Sequence, residues 1–138
     1  MRRFIIAFLA ALFAAVLVVP QAVAGSPHFV GDITVVRTGD SLTVSGKIAG
    51  LGDEDQVSIR VTADAQCVNP GGNHPSAGNK ESFAAEGQFP VQNGKANFSL
   101  TLTATFQPSC SPPMTVVFSN VVVTDLTHGL TRSIPGTF

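Results

Sequence analysis

Alternation of apolar and polar residues limits the fold of this chain more than any other feature of its sequence. The clearest case is ANFSLTLTATF (96–106), where every second residue is apolar and those between are Asn, Ser or Thr. Successive side chains of a β-strand point to opposite faces, so this period indicates a strand with one buried and one solvated face. LTVSGKI (42–48) and VSIRVTADA (57–65) show the same period, which is typical of antiparallel sheets. No segment after residue 24 has the apolar period of a helix, so we predict an all-β chain.

Glycine, proline and asparagine separate the alternating segments where strands need turns. RTGDS (37–41) and AGLGDEDQ (49–56) separate the first three strands, and VQNGKA (91–96) contains the Asn-Gly pair of a tight hairpin turn. QPSCSPP (107–113) must connect strands, because its three prolines have no N–H to give to a central ladder. The apolar positions then change phase near Ser119 and Asn120, which predicts a β-bulge.

These boundaries predict about seven strands. They cover residues 28–37, 41–49, 56–65, 87–92, 95–106, 114–125 and 130–134. This number of short alternating strands favours an immunoglobulin-like antiparallel β-sandwich, and a small barrel is the alternative.

The N-terminal segment has the three-part construction of a secretory signal peptide. Two arginines precede an apolar run (4–19), and AVA (22–24) is the small-x-small pattern that signal peptidase accepts. The run is shorter than the roughly 18 to 20 apolar residues that span a bilayer as a helix. We therefore predict cleavage after Ala24 and a secreted product, residues 25–138, that forms one domain with no stable membrane insertion.

The cysteines and the charge balance narrow the class of protein further. In an exported chain, two cysteines are most simply one disulfide, Cys67–Cys110, and a loop of that length adds about 4 kcal/mol of stability. Without the signal segment the chain has six cationic and nine acidic residues, a net charge of −3, and no basic patch for nucleic acid. The chain also lacks Tyr and Trp, on which flat carbohydrate sites and protein hot spots commonly rely.

Four segments carry the structural landmarks of the sequence. They are SPHFVGDITV (26–35), GLGDEDQVSIRVTADAQCVNPGGNHP (50–75), NGKANFSLTLTATFQPSC (93–110) and VVFSNVVVTDLTHG (116–129). Over these segments, which cover most of the predicted domain, the chain resembles a group of small exported bacterial β-sandwich proteins of unknown function. The resemblance implies the fold and export, and it transfers no site residues.

The longest segment without a strand period is the candidate binding region. Residues 67–88 are rich in glycine, proline and asparagine, and long loops inside compact domains are often functional. We predict that this loop contacts an unidentified extracellular or envelope component through Asn69, Asn73, His74 and Asn79. The alternative is a spacer, because Asn, Gly and Pro also form turns for local reasons.

No motif in the sequence predicts catalysis or a resident cofactor. There is no G-x-S-x-G elbow, no H-E-x-x-H and no phosphate-binding glycine loop, so we predict a secreted non-catalytic protein with a binding or structural role. A small secreted hydrolase is one alternative. A calcium-dependent module is another, because Asp53, Glu54 and Asp55 cluster in one connection between strands. The D-x-[DN]-x-[DN]-G pattern of calcium loops is nevertheless not met.

Two other sets of polar residues have simpler interpretations. The histidines lie too far apart for a metal motif, so we interpret all three as solvent-facing: His28, His74 and His128. A row of hydroxyl residues on the cleanest strand resembles surfaces that order water: Ser99, Thr101, Thr103 and Thr105. Threonine is also an ordinary residue for the solvated face of a strand, and one strand of a twisted sheet cannot supply a flat array.

Overall fold

A computed structural model of the chain describes residues 25–71 and 80–138, which form seven strands. The strands are β1 (His28–Thr38), β2 (Ser41–Ala49), β3 (Gln56–Val68), β4 (Lys80–Pro90), β5 (Ala96–Thr103), β6 (Thr115–Asp125) and β7 (Leu130–Thr137). The predicted signal segment, residues 1–24, lies outside the described residues. Within the described part of the chain, no helix has the length and apolar character needed to cross a membrane.

The strands form two antiparallel sheets that pack against each other. One sheet has the order β1-β2-β5 and the other the order β4-β3-β6-β7. In immunoglobulin sandwiches the first, second and fifth strands share one sheet, and the third, sixth and seventh share the other. This chain has that arrangement, with β4 beside β3, so the predicted immunoglobulin-like sandwich of two sheets is confirmed.

The core consists of the alternate positions that the sequence assigns to the inner faces. Most inner residues of β2, β3 and β5 are buried between the sheets, whereas most of their outward neighbours remain half-buried or exposed. The largest fully buried side chains are Phe118, Leu42, Ile48, Leu51, Ile59, Leu102 and several valines. Gly46 also lies on the inner face of β2, and a Cβ at this position would approach Cζ of Phe98 to 2.7 Å.

The fourth strand begins earlier and is longer than the predicted strand of residues 87–92. β4 runs from Lys80 to Pro90 and pairs with β3 over its whole length. Its inner positions include Ala85 and Gly87, and an outward position is also alanine, so the contrast in hydropathy between its two faces is weak. The predicted loop 67–88 is therefore wrong in extent, because only residues 69–79 lie between strands.

Two predicted backbone irregularities are confirmed. The Asn-Gly turn between β4 and β5 has positive φ at both residues, 53° at Asn93 and 72° at Gly94, as a type I′ turn requires. The β6 bulge falls at Asn120, where φ is 52° and the register with β7 shifts. A further irregularity interrupts β1 between Val30 and Thr34, where the sequence predicts a regular strand.

The predicted disulfide is confirmed at one end of the sandwich. Cys67, near the end of β3, is bonded to Cys110 in the connection between β5 and β6, and their Cα atoms are 5.7 Å apart. The Cys67 side chain is buried, and Phe106, which lies in the same connection as Cys110, also packs into the core. The bond therefore holds the long connection from one sheet to the other against the core.

Candidate functional site

The structure describes one of the four residues proposed for the predicted binding loop. Asn69 directly follows β3 and is exposed. The other three lie outside the described residues: Asn73, His74 and Asn79. No common geometry is therefore defined for this set, and its role in binding stays a prediction.

All three histidines are interpreted from the sequence as solvent-facing, but the two that the structure describes have different environments. His28 opens β1, is exposed, and its Nδ1 lies 2.8 Å from the carbonyl oxygen of Ser26. His128 is not solvent-facing, since its side chain is only 19% exposed and lies between two carboxylates. The interpretation is wrong for His128 because the turn between β6 and β7 folds back onto the β2–β3 connection, which is a tertiary contact. His74 lies outside the described residues.

The imidazole of His128 joins the β6–β7 turn to the β2–β3 connection through a pair of short hydrogen bonds. Its Nδ1 is 2.6 Å from Oδ2 of Asp125, and its Nε2 is 2.7 Å from Oε1 of Glu54. Asp125 is fully buried, and its Oδ1 also accepts the backbone N–H groups of Thr127 and His128. Burial acts to lower the pKa of His128, but the hydrogen bonds and charges of Asp125 and Glu54 outweigh it and raise the pKa. A protonated ring donates to both carboxylates at once.

This cluster is arranged to hold the fold together. In this geometry neither ring nitrogen of His128 has a free lone pair with which to accept a proton from a substrate. Glu54, one of the proposed calcium ligands, is engaged by His128, while Asp53 and Asp55 are exposed. Among the residues that the structure describes, no three His, Cys, Asp or Glu side chains are placed to hold a metal ion.

The outer surface of the β1-β2-β5 sheet is a regular array of hydroxyl groups. In three successive rows, an outward residue of β2 faces a hydroxyl residue of β5 with their side-chain oxygens 3.0 Å apart: Ser41 with Thr103, Thr43 with Thr101 and Ser45 with Ser99. β1 adds a third residue to each row, namely Thr38, Val36 and Thr34. We call these nine residues the hydroxyl face: eight carry a hydroxyl group and none carries a charge.

The sheet geometry gives the hydroxyl face a regular spacing. Neighbouring strands lie about 4.8 Å apart, and residues on the same face of a strand repeat about every 6.7 Å. The predicted outward direction of Ser99, Thr101 and Thr103 is confirmed, and Thr105 is exposed beyond the end of β5. Alternation within one strand predicts a single row of hydroxyl groups, whereas pairing with β1 and β2 extends that row into a surface three strands wide.

The outer surface of the other sheet has a different chemistry. Arg60 on β3 and Glu86 on β4 form an ion pair of 3.3 Å. Asp64 accepts hydrogen bonds from Ser82 at 2.6 Å and from Asn120 at 2.8 Å, and these bonds, in that order, lower its pKa. The outer surface of this sheet therefore carries charged side chains among its strands, whereas the nine residues of the hydroxyl face carry none.

Two clefts adjoin the hydroxyl face, one at each end. Beyond the Ser41–Thr103 row, a cleft of about 240 Å³ is lined by residues that include Asp40, Thr105 and Gln107. The opposite end continues into the next row of the sheet, Lys47 with Asn97. There a cleft of about 370 Å³ is lined by Lys47, Pro90, Gln92, Asn93, Lys95 and Asn97.

These features define the class of the protein: a disulfide-linked, seven-stranded antiparallel β-sandwich with the hydroxyl face on one of its outer surfaces. Comparisons with protein-family models, curated proteins and solved structures found no match for the chain. Its function is therefore inferred from the geometry alone.

Proposed function

We propose that this protein is an exported, non-catalytic binding module that holds a polysaccharide chain on its hydroxyl face. The observation that carries the proposal is the array itself, in which eight of nine outward positions bear hydroxyl groups and none bears a charge. The charged surface of the opposite sheet shows that this composition is not a general property of the molecule. The signal pattern and the disulfide support export, since disulfides persist in oxidising compartments.

The hydrogen-bonding capacity of the hydroxyl face suits a sugar polymer. In each cross-strand pair one hydroxyl donates to the other, which leaves one hydrogen and several lone pairs for a ligand. Sugar hydroxyls are both donors and acceptors, so they satisfy this surface as water does.

The absence of Tyr and Trp determines how such binding works. The hydroxyl face includes no aromatic residue on which a sugar ring could stack, so each sugar contributes only hydrogen bonds and van der Waals contact. The net contribution of each hydrogen bond is about 1 kcal/mol, because it replaces one with water. Affinity therefore accumulates along an extended polymer, and short oligosaccharides bind weakly.

Co-sedimentation of the purified exported protein with insoluble cellulose, chitin and β-1,3-glucan tests the proposal. We expect binding to at least one polymer, and the double variant Thr43→Val with Thr101→Val should lose about tenfold in affinity, since two hydroxyls no longer pair with the ligand. Valine retains the β-branched shape and favours strands, so the variant should fold. The matched control is Thr131→Val, an exposed threonine of β7 in the other sheet.

Three outcomes would contradict the assignment. The first is no binding to any polymer of the panel or to any acidic polysaccharide, and the second is equal loss in the Thr131→Val control. The third is self-association without polymer, in analytical ultracentrifugation, that disappears in the Thr43→Val and Thr101→Val variant. A loss of binding with Asn73→Ala and His74→Ala, but not with the β-sheet variants, would instead locate the site at the predicted loop.

A further inference from the structure

We infer that the ligand of the hydroxyl face carries an anionic group, which is held in the cleft between Lys47 and Lys95. This inference rests on the proposed function and adds the chemical class of the polysaccharide. The cleft of about 370 Å³ is lined by two lysines, three amide side chains and one proline, and its lining includes no acidic residue. An ammonium pair with amide donors around it is suited to a carboxylate or a phosphate.

The two lysines are available for such a group. The ion pairs among the described residues involve Arg60 and His128 as the cationic partners, and neither Lys47 nor Lys95 takes part. The predicted mature chain has a net negative charge, whereas the charged residues that line this cleft are both positive. Charge of one sign in a cleft attracts ligands of the opposite sign.

The backbone around the cleft is held in place before any ligand arrives. In the type I′ turn, the N–H of Gln92 donates to the carbonyl of Lys95 at 2.8 Å, and the reverse bond is 3.1 Å. The Leu51 N–H donates to the carbonyl of Gly94 at 3.0 Å, which fixes the turn against the β2–β3 connection. The turn therefore presents the Gln92, Asn93 and Lys95 side chains from an ordered backbone, which reduces the entropy lost on binding.

The cleft continues the hydroxyl face in register. Lys47 follows Ser45 on the outward side of β2, and it faces Asn97, which precedes Ser99 on β5. The row is therefore about 7 Å beyond the last hydroxyl pair. A sugar chain that lies along β2 contacts neutral hydroxyl groups first and reaches the lysines within the same extended contact.

Binding isotherms with matched acidic and neutral polymers test this inference. The probes are polygalacturonate, its methyl ester as the neutral match, and a glycerol-phosphate polymer as the phosphate arm. The purified exported protein should bind at least one acidic polymer about tenfold more tightly than the neutral one, and added salt should remove the difference. The relative affinity of the two acidic polymers distinguishes a carboxylate from a phosphate ligand.

The variant Lys47→Gln with Lys95→Gln should lose this preference and bind acidic and neutral polymers alike. Lys80→Gln, at the start of β4 in the other sheet, is the control and should retain the preference. Equal binding of acidic and neutral polymers by the unmodified protein, or an unchanged preference in the double lysine variant, would overturn the inference while leaving the proposed function intact. Failure to bind any polymer, including the insoluble neutral panel, would overturn both.

Discussion

At the scale of single residues, a few polar side chains link connections and edge strands of the sandwich that the apolar core does not join. His128 links the β6–β7 turn to the β2–β3 connection through Asp125 and Glu54. Arg132 on β7 lies over the Phe29 ring of β1, 5.7 Å from its centroid, and donates to the carbonyl of Gly31 at 2.8 Å. The first contact joins two connections at one end of the sandwich, and the second joins the two sheets, so these side chains add specificity to a core that is otherwise apolar.

The His128 cluster predicts a pH-dependent contribution to stability. Because folding raises the pKa of His128, its stabilisation is fully present below the ordinary value of 6.5 and is lost as pH rises through the folded-state pKa. We expect His128→Gln to lower the free energy of unfolding by about 2 kcal/mol in mild acid. The deficit should shrink as pH rises above that pKa.

Urea denaturation of both proteins between about pH 5.5 and 9 measures this difference. His28→Gln is the matched control, because His28 is exposed and bonds only a nearby backbone carbonyl. A deficit for His128→Gln that stays constant across the range would show that its protonation does not contribute.

At the scale of the elements, the β6 bulge ties three strands of one sheet together. Asn120 adopts a positive φ at the bulge and donates from its side chain to Asp64 on β3, while Ser82 on β4 donates to the other oxygen of the same carboxylate. The bulge also changes which residues of β6 face inward, so Phe118 and Val121 are both buried. It therefore serves the packing of the core and the outer surface together.

The bulge contact predicts a loss of stability in acid that depends on Asp64. Since hydrogen bonds from Ser82 and Asn120 lower the pKa of Asp64, its contribution is present above the ordinary value of 3.8 and is lost as pH falls through the folded-state pKa. We expect Asp64→Asn to be about 1 kcal/mol less stable at neutral pH. The variant should also lose less stability than the unmodified protein on acidification.

Urea denaturation between about pH 7 and pH 2 follows this effect. Asp53→Asn, an exposed carboxylate in the β2–β3 connection, is the control for general charge effects in acid. If both variants showed the same acid dependence as the unmodified protein, the bulge contact would have no role in it.

At the scale of the whole molecule, the chain crosses between the two sheets and the disulfide secures one of these crossings. Cys67 and Cys110 are 43 residues apart in sequence, and between them lie β4, β5 and the hairpin that leads from one sheet to the other. The bond thus closes a loop that contains one edge of each sheet. The hydroxyl face and its basic cleft depend on β5 being held in this position.

Removal of the disulfide should therefore destabilise the whole domain. We expect Cys67→Ser with Cys110→Ser to lower the free energy of unfolding by about 4 kcal/mol, from the loop-closure entropy that the bond removes from the unfolded chain. Denaturation under non-reducing conditions measures the change, and the unmodified protein with reductant is the matched comparison. Equal stability of the oxidised and reduced protein would contradict the prediction.

Much of the fold could be predicted from the sequence because its signals are local. The inner faces of β2, β3 and β5, the Asn93 turn and the Asn120 bulge all follow from apolar period and turn chemistry. β4 was misplaced for a local reason as well, since alanine and glycine on its inner side weaken the period. The candidate site was harder to predict. The lack of a strand period marks segment 67–88 as a possible binding loop, whereas the hydroxyl face lies on regular strands whose register alternation does not reveal.

The sequence by itself determined the all-β class, the approximate strand number, the side of each regular strand that is buried and the pairing of the only two cysteines. Only the tertiary structure decided which outward rows lie side by side. Ser41 and Thr103 are 62 residues apart, and Glu54 and His128 are 74 apart, yet both pairs are in hydrogen-bonding contact. Alternation specifies which way a side chain points, whereas the register between distant strands follows from packing the two sheets together, and the proposed ligand surface exists only in that register.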